Sequence, residues 1–352
     1  MKKVLPLFAI FSLLFFACTN PFMKEILDRE KDKTVSEVDP QEPGEDVSEG
    51  SEPEDEYKDI PAGLYLNTDF DNPIDVSGEA GANIVEKAIA YVNTAANAEK
   101  GAYTLLVGED AVIGPQIISA VNLNLTLRGV GEERVISFSG SPGDTSSFIY
   151  VDNGAVLVLD RNIILQGNSN NNFNALVWVY SNGTLEMNEG AKITGHTANF
   201  GGGVMVYGTF IMNGGAISGN TAQNGGGVRV EEGTFTMNGG EISGNKSDSG
   251  GGVSALYGGN FTMNGGTIFG NAASSYGGGV YVNDADFRIV NGMVYGSNEA
   301  DANLKNTAAN GAALYKSAGT AECGTFNGTV WEKIGDLPNT DETIRVINGK
   351  LR

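Results

Sequence analysis

Cysteine and histidine are nearly absent from this chain, which has two cysteines and one histidine among its 352 residues. Two cysteines are too few for the disulfide framework of a small secreted domain. The sequence also lacks a Cys/His set at the spacing of a metal site, and it lacks a phosphate-binding loop. We therefore expect neither a metal nor a cofactor.

Basic residues are scarce as well, with 22 lysines and arginines against 43 aspartates and glutamates. The formal net charge at neutral pH is −21. Proteins that bind nucleic acid or anionic lipid surfaces need the opposite balance, because their ligands are polyanions. The composition predicts no nucleic-acid partner.

Long apolar runs are missing except at the start, where Val4–Phe16 follows two lysines. This run is too short to span a membrane but has the layout of a targeting segment. It ends in Leu14-Phe-Phe-Ala-Cys18, which resembles the lipobox of bacterial lipoproteins in its relaxed form. The resemblance implies a signal peptide over 1–17 and lipidation of Cys18. The alternative is an ordinary signal peptide in which Cys18 is incidental.

Residues 18–59 are predicted to be a disordered acidic tether. Thr19–Asp59 contains 15 acidic and five basic residues and almost no aromatic residue. Such a segment cannot bury enough apolar surface to fold. We expect it to hold the remaining residues, 60–352, away from a membrane.

Glycine, in contrast, is abundant, with 50 residues, and much of it belongs to a repeat. Gly-Gly-Gly-Val begins at positions 201, 225, 250 and 277, and Phe-x-Met-Asn and Ile-Ser-Gly-Asn or close variants follow in the same order. Met187, Met212, Met237 and Met263 are separated by 25, 25 and 26 residues. A fixed period of this length is typical of a solenoid.

Each repeat contains three short runs in which apolar and polar residues alternate, as in Val228-Arg-Val230 and Phe235-Thr-Met237. Alternation predicts strands buried on one face, and the runs are too short and too often interrupted by glycine for helices. We predict an all-β, right-handed parallel β-helix with three strands per coil. Like residues should stack in four inward columns, which are Val177, Val204, Val228, Val253 and Val280; Leu185, Phe210, Phe235, Phe261 and Phe287; Met187, Met212, Met237 and Met263; and Ile193, Ile217, Ile242, Ile268 and Val294.

One helix is predicted, over Ala82–Asn97, where apolar residues recur at helical spacing. We expect residues 80–98 to cap the first coil, because an uncovered coil would present unpaired backbone groups. Irregular coils are expected over 100–170, regular coils over 175–298 and a C-terminal cap over 310–352.

A polar column is predicted at one corner of the coils. It contains Asn168, His196, Asn220, Asn245 and Asn271. We interpret it as a structural ladder in which each amide bonds to its neighbours, at roughly 1 kcal/mol net per bond. The single histidine is therefore interpreted as structural rather than as a general base.

The repeats resemble those of the chlamydial polymorphic outer-membrane proteins, which are recognised by Phe-x-x-Asn and Gly-Gly-Ala-Ile. The matching residues are Phe210-Ile-Met-Asn213 with Gly214-Gly-Ala-Ile217, Phe235-Thr-Met-Asn238 and Phe261-Thr-Met-Asn264. The whole layout is similar to the repeat lipoproteins predicted in spirochaetes. This resemblance implies a pectate-lyase-like β-helix, carried at the outer membrane by acyl chains such as palmitate, exposed at the cell surface and adhesin-like.

Parallel β-helices also include polysaccharide lyases and glycoside hydrolases. Their chemistry needs converging carboxylates, or acids that bind calcium beside a basic residue. The outward columns of the regular repeats nowhere stack two acids, so we expect no catalysis and no metal. The alternatives are a carbohydrate-active enzyme with its acids in the irregular coils 100–170, and a stiff structural spacer.

One outward column suggests a binding surface. It contains Tyr150, Trp178, Met205, Arg229 and Tyr281. Aromatic faces stack on sugars or anchor protein partners, so we predict an exposed stripe that binds a glycan or a host or cell-surface protein. The alternative is that aromatic residues simply favour exposed strand positions.

Overall fold

The chain winds into a parallel β-helix of about seven turns, as the repeat predicts. This computed structural model describes residues 57–67, 69–139, 147–169, 174–327 and 330–352. All of them belong to one compact unit, Asp55–Arg352. The predicted signal peptide, Cys18 and residues 18–56 of the predicted tether lie outside the described residues.

Three sheets form the walls of the β-helix, and each coil contributes one strand to each sheet. Strands are numbered in chain order. Sheet 1 consists of β1 (Gly63–Leu66), β2 (Ala102–Val107), β5 (Asn124–Gly129), β8 (Val156–Leu159), β11 (Thr184–Met187), β14 (Thr209–Met212), β17 (Thr234–Met237), β21 (Asn260–Met263), β25 (Ala285–Ile289), β28 (Gly319–Asn327) and β29 (Val330–Asp336).

The other two sheets follow the same stacking order. Sheet 2 consists of β4 (Gln116–Ile118), β7 (Ile149–Val151), β10 (Val177–Val179), β13 (Val204–Val206), β16 (Val228–Glu231), β20 (Val253–Leu256), β24 (Val280–Asn283) and β27 (Leu314–Lys316). Sheet 3 consists of β3 (Ala111–Ile113), β6 (Arg134–Phe138), β9 (Ile163–Gln166), β12 (Lys192–Thr194), β15 (Ala216–Ser218), β18 (Glu241–Ser243), β22 (Thr267–Phe269), β26 (Gly292–Val294), β30 (Ile344–Ile347) and β31 (Lys350–Leu351).

A short fourth ladder, which the sequence did not predict, lies in the turn between sheets 3 and 2. It is formed by β19 (Lys246–Ser249) and β23 (Ala272–Tyr276) and is continued by single bridges in the neighbouring coils. One of its columns runs through Phe200, Asn224, Ser249 and Tyr276. This column lies at the edge of the outer face of sheet 2.

The four predicted inward columns are confirmed in register. Val177 pairs with Val204, Leu185 with Phe210, Met187 with Met212 and Ile193 with Ile217, and the later coils repeat these pairs. All members of the four columns are buried. Because each buried apolar side chain contributes roughly 1.5–3 kcal/mol, these columns are the main source of stability.

The predicted irregular coils share the same core. β5 and β8 pair in parallel, with Leu125 opposite Leu157, and Leu157 lies opposite Leu185 of the regular coils. The buried, unpaired Cys323 continues the apolar column of Ile289 at the other end. One continuous core therefore runs through the described part of the β-helix.

The predicted capping helix is two short helices, α1 (Ile84–Val92) and α2 (Ala95–Ala98). Asn93 lies between the two helices, and its side chain bonds to the backbone of the first coil. Its Nδ2 donates to the Ile117 carbonyl at 3.0 Å, and its Oδ1 accepts from the Ser119 amide at 2.8 Å. The Asn93 side chain thus bonds one backbone carbonyl of β4 and one backbone amide just after β4. Helix α1 ends at Val92, immediately before this residue.

Side chains and antiparallel strands cover the first coil. Glu86 of α1 accepts from the Gly114 amide, and Asn83 donates to the Val112 carbonyl, each at 3.0 Å. β1 pairs in antiparallel fashion with β2, the first parallel strand of sheet 1. Unpaired edge groups that would invite pairing with another chain are thereby occupied.

The last coil is closed in the same manner. β29 pairs in antiparallel fashion with β28, and β30 with β26. In sheet 2, Thr340 forms an antiparallel bridge with Leu314, and Asn339 bonds both the amide and the carbonyl of Lys316. Among the described residues, no helix is long and apolar enough to cross a membrane.

Candidate binding surface on the outer face of sheet 2

The residues of the predicted stripe do share one column. Tyr150 pairs with Trp178, Trp178 with Met205, and Met205 with Arg229. Ser254 then separates Arg229 from Tyr281, and Tyr315 continues the column in β27. Sequence reasoning therefore placed these side chains on the correct face.

The prediction that this stripe is exposed along its length is wrong in the middle. Met205 is 3 % exposed, Arg229 is 8 % exposed and Ser254 is fully buried. The cause is the glycine turn that enters each strand. Gly225 has a φ of +66°, and a Cβ built on it would lie 2.8 Å from Cβ of Arg229. The absence of a side chain there lets the turn fold directly onto the column.

Arg229 is also not a free cation. Its Nε and Nη2 donate to Oε2 of Glu231 at 3.0 and 2.7 Å. Its guanidinium lies over the ring of Phe200, 4.8 Å from the ring centroid. These contacts fix the position of the Arg229 guanidinium and place the Phe200 ring beside the column.

Four aromatic rings form what we call the first ring cluster, which consists of Tyr150, Trp178, Tyr180 and Tyr207. The Trp178 ring lies 6.0 Å from Tyr150, 5.5 Å from Tyr180 and 6.0 Å from Tyr207, centroid to centroid. The planes differ by only 14–17°. Tyr180 is 38 % exposed and the other three rings are half-buried, so each ring keeps part of its surface open to solvent.

Tyr180 and Tyr207 were missed by sequence reasoning. Each follows the end of a sheet 2 strand, two residues after an outward side chain of that strand. Alternation continues past the formal strand end, so Tyr180 shares a face with Trp178, and Tyr207 with Met205. Extending the period-two pattern by one residue into the turn would have found both.

The first ring cluster has an acidic border. Burial raises the pKa of Tyr180, and the neighbouring Tyr150 and Asp152 raise it further. Burial likewise raises the pKa of Tyr207, with Glu231 as the next cause. The tyrosines therefore stay protonated as hydroxyl donors and acceptors at neutral pH.

Trp178 also brings an unused donor to the cluster. Its Nε1–H is shielded and has no hydrogen-bond acceptor. A buried polar group without a partner is uncommon and costs free energy, so a ligand acceptor that reached this N–H would remove that cost.

A second ring cluster occupies the other end of the same face and consists of Tyr276, Tyr281 and Tyr315. The Tyr276 ring lies 6.1 Å from Tyr281 and 4.6 Å from Tyr315. Tyr281 and Tyr315 are 6.2 Å apart, at a plane angle of 23°. Of these, sequence reasoning named only Tyr281, because Tyr276 lies in the turn and Tyr315 follows the insertion in the last coil.

The predicted asparagine ladder is present in the regular coils. Nδ2 of Asn220 donates to Oδ1 of Asn245 at 3.1 Å, and Nδ2 of Asn245 donates to Oδ1 of Asn271 at 3.0 Å. The next member is Asn306, which accepts from Asn271 at 3.1 Å. All four side chains are buried. Asn306 was missed because an insertion separates it from Asn271 by 35 residues instead of 25 or 26.

His196 ends this ladder on the other side. Its backbone amide donates to Oδ1 of Asn220 at 3.1 Å, and its Nε2 lies 3.0 Å from the Asn174 carbonyl oxygen. Burial lowers the pKa of His196, and the bond to Asn174 partly offsets this effect. Asn168 lies next along the column, and its carbonyl accepts from the Thr197 amide. The environment of His196 is that of a neutral, structural side chain.

A second asparagine ladder, not predicted, runs along the outside. Asn264 donates to Asn238, Asn238 to Asn213 and Asn213 to Asn188, at 2.9, 2.9 and 3.1 Å. These residues are the asparagines of the Phe-x-Met-Asn motif and its Leu-x-Met-Asn variant. Their shared position in the motif was the signal that could have revealed the ladder.

Three acids of the irregular coils form ion pairs. Asp160 pairs with Arg128 at 2.9 Å, Glu132 with Arg134 at 2.8 Å, and Glu133 with Lys192. In sheet 1, burial raises the pKa of Glu186. Within the described ranges, no three Asp, Glu, His or Cys side chains are grouped closely enough to hold a metal ion.

No protein-family model, curated protein or solved structure matches this chain. The surface must therefore be interpreted from its own geometry.

Proposed function

We propose that this protein is a lipid-anchored cell-envelope protein whose β-helix binds a carbohydrate through the first ring cluster, without cleaving it. The observation that carries the proposal is the set of half-exposed rings around Trp178. Uncovered aromatic faces stack on the apolar faces of sugar rings. The tyrosine hydroxyls and the unpaired Trp178 Nε1–H supply partners for sugar hydroxyls.

The absence of cleavage is part of the proposal. Acid–base cleavage of a glycosidic bond needs two carboxyl groups that face the same bond. Beside the first ring cluster, Glu231 is held by Arg229. In the irregular coils, Asp160 is held by Arg128, and Asp110 accepts from the Val135 backbone amide. This supports a binding role in adhesion or surface display over the alternative of a carbohydrate-active enzyme.

The binding test uses the full chain with Cys18→Ser, applied to immobilised neutral polysaccharides, acidic polysaccharides and matrix proteins. We expect retention on at least one neutral polysaccharide and no new reducing or unsaturated ends. Trp178→Ala should abolish retention, while Phe326→Ala, a matched loss of an exposed ring outside the cluster, should not. Retention on proteins alone, release of sugar products, or equal effects of both substitutions would overturn the proposal.

Anchoring is proposed from the lipobox-like sequence that ends at Cys18 and from the acidic tether of residues 18–59. Anchoring is tested separately: a bacterial host that expresses the chain is grown in medium that contains alkyne-tagged palmitate, and the label on the purified protein is measured. We expect label on the wild-type chain and none on Cys18→Ala. An unlabelled wild-type chain would contradict the anchor without affecting the carbohydrate proposal.

A further inference from the structure

We infer that the two ring clusters are the ends of one extended site, which binds a linear, uncharged glycan lying along the axis of the β-helix. The inference rests on the proposed function and adds the class, orientation and length of the ligand. It starts from the register of sheet 2, which places Tyr150, Trp178, Tyr281 and Tyr315 in a single column.

The spacing of this column sets the length of the site. Trp178 and Tyr281 are four strand spacings apart, which is ~19 Å at ~4.8 Å per strand. Tyr150 and Tyr315 are six spacings apart, or ~29 Å. A sugar unit of an extended chain covers a length close to one such spacing, so the full site matches about six units.

The surface between the clusters continues the platform. Phe200 is 39 % exposed and lies over the Arg229 guanidinium, at the first step beyond the first cluster. Half-buried Asn224 and Ser249 follow in the same column and lead to Tyr276. Two short polar side chains that can bond sugar hydroxyls therefore lie between the aromatic rings of Phe200 and Tyr276.

Charge selects against anionic glycans. Asp152 borders the first cluster, and Arg229, the cation of this column, is neutralised by Glu231, so the uncompensated charge there is negative. A uronate or sulfate on the ligand would meet repulsion there without an available cation. An uncharged glycan meets no such penalty.

The periodicity of the surface favours a periodic ligand over a protein. Protein interfaces depend on a few well-packed anchors surrounded by irregular contacts. Here similar rings stand at both ends of one column, at multiples of a single strand spacing. A polymer with a regular repeat of similar length can contact several of them at once, and its affinity then grows with length.

The inference predicts a length dependence that can be measured. The full chain with Cys18→Ser is titrated by calorimetry with β-1,4-linked glucose oligomers of two to eight units, and with the corresponding N-acetylglucosamine oligomers. We expect affinity in at least one series to rise at least about tenfold between three and seven units and then to level off.

The second cluster provides the decisive variants. Tyr281→Ala with Tyr315→Ala should lower the affinity for seven-unit oligomers at least about tenfold while leaving the affinity for three-unit oligomers unchanged. Trp178→Ala should weaken both, and Phe326→Ala should weaken neither. Near-ultraviolet circular dichroism checks that each variant keeps its fold.

The outcomes separate this inference from the proposed function. The extended site would be overturned if affinity did not depend on oligomer length, or if Tyr281→Ala with Tyr315→Ala left the affinity for seven-unit oligomers unchanged. Carbohydrate binding itself would stand in either case. No binding to any oligomer in either series would overturn the extended site, and the polysaccharide retention test would decide the proposed function separately. Stronger binding to uronic acid oligomers than to neutral ones would overturn the uncharged ligand.

Discussion

The same aromatic stacking occurs on both sides of the β-helix wall, but with different geometry. Inside, Phe210, Phe235, Phe261 and Phe287 stack at 4.6–4.9 Å and are buried. Outside, the Trp178 ring lies 5.5–6.0 Å from its neighbours. The inner rings follow the coil spacing, while the outer rings are displaced and remain open. In the second cluster, Tyr276 and Tyr315 also approach to 4.6 Å, but their planes differ by 34° and Tyr276 is exposed. Close, nearly parallel stacking is thus confined to the buried phenylalanines, and the proposed ligand would contact the more open outer rings.

The largest effect should come from the inner stack. Phe235→Ala removes a buried ring between two stacked neighbours and should lower the free energy of unfolding by about 3–5 kcal/mol. Urea denaturation followed by circular dichroism measures this loss. Trp178→Ala, the outer counterpart, should cost less than about 2 kcal/mol because its ring is only half buried.

Equal losses in the free energy of unfolding for Phe235→Ala and Trp178→Ala would contradict the predicted difference between the inner and outer rings. They would mean that the outer cluster is a structural element like the inner stack. The claim that its open faces serve binding would then lose its physical basis.

The inner stack was predictable from sequence because burial and period act together. The buried rings recur at a spacing of 25 or 26 residues, and all but Phe210, which Ile211 follows, have polar residues on both sides, so face and register follow from alternation. The burial of Met205 and Arg229 was not predictable in this way. It depends on how closely the turns at Gly201 and Gly225 fold onto the strands, and alternation carries no information about that distance.

The next largest effect compares the two asparagine ladders. Asn245→Ala removes, in a buried site, the Oδ1 that accepts from the backbone and side-chain amides of Asn220. It also removes the Nδ2 that donates to the Ile217 carbonyl and to Oδ1 of Asn271. We expect a loss of about 2–3 kcal/mol in the free energy of unfolding. Asn238→Ala, in the exposed ladder, should cost less than about 0.5 kcal/mol because water replaces the amide.

Thermal unfolding of the two single variants checks this expectation in one experiment. A drop in melting temperature of similar size for both would show that the outer ladder is as structural as the inner one. The inner ladder was predicted from the Ile-Ser-Gly-Asn motif, and its extension to Asn306 was hidden by the insertion, since a fixed period fails where a coil lengthens.

His196 should have the smallest effect on stability at neutral pH, and this effect should grow as the pH falls. Its pKa in the folded state is lowered by burial, whereas in the unfolded chain it has the ordinary value near 6.5. Below that value the unfolded state binds more protons than the folded state, so stability falls as the pH falls. Above it both states are neutral, and His196 adds no pH dependence.

His196→Asn tests this sign directly, because the substituted amide occupies the ladder slot beside Asn220 but has no titratable group. The melting temperatures of wild type and variant should differ little at pH 8. The wild type should fall below the variant as the pH is lowered from about 6.5 to 5, with the carboxylates contributing equally to both. A constant difference across this range would mean that His196 takes up its proton in the folded protein as readily as in the unfolded chain. The buried inner ladder would then tolerate the positive charge of a protonated histidine. Such a charge would be expected only in the outer ladder, where water can solvate it.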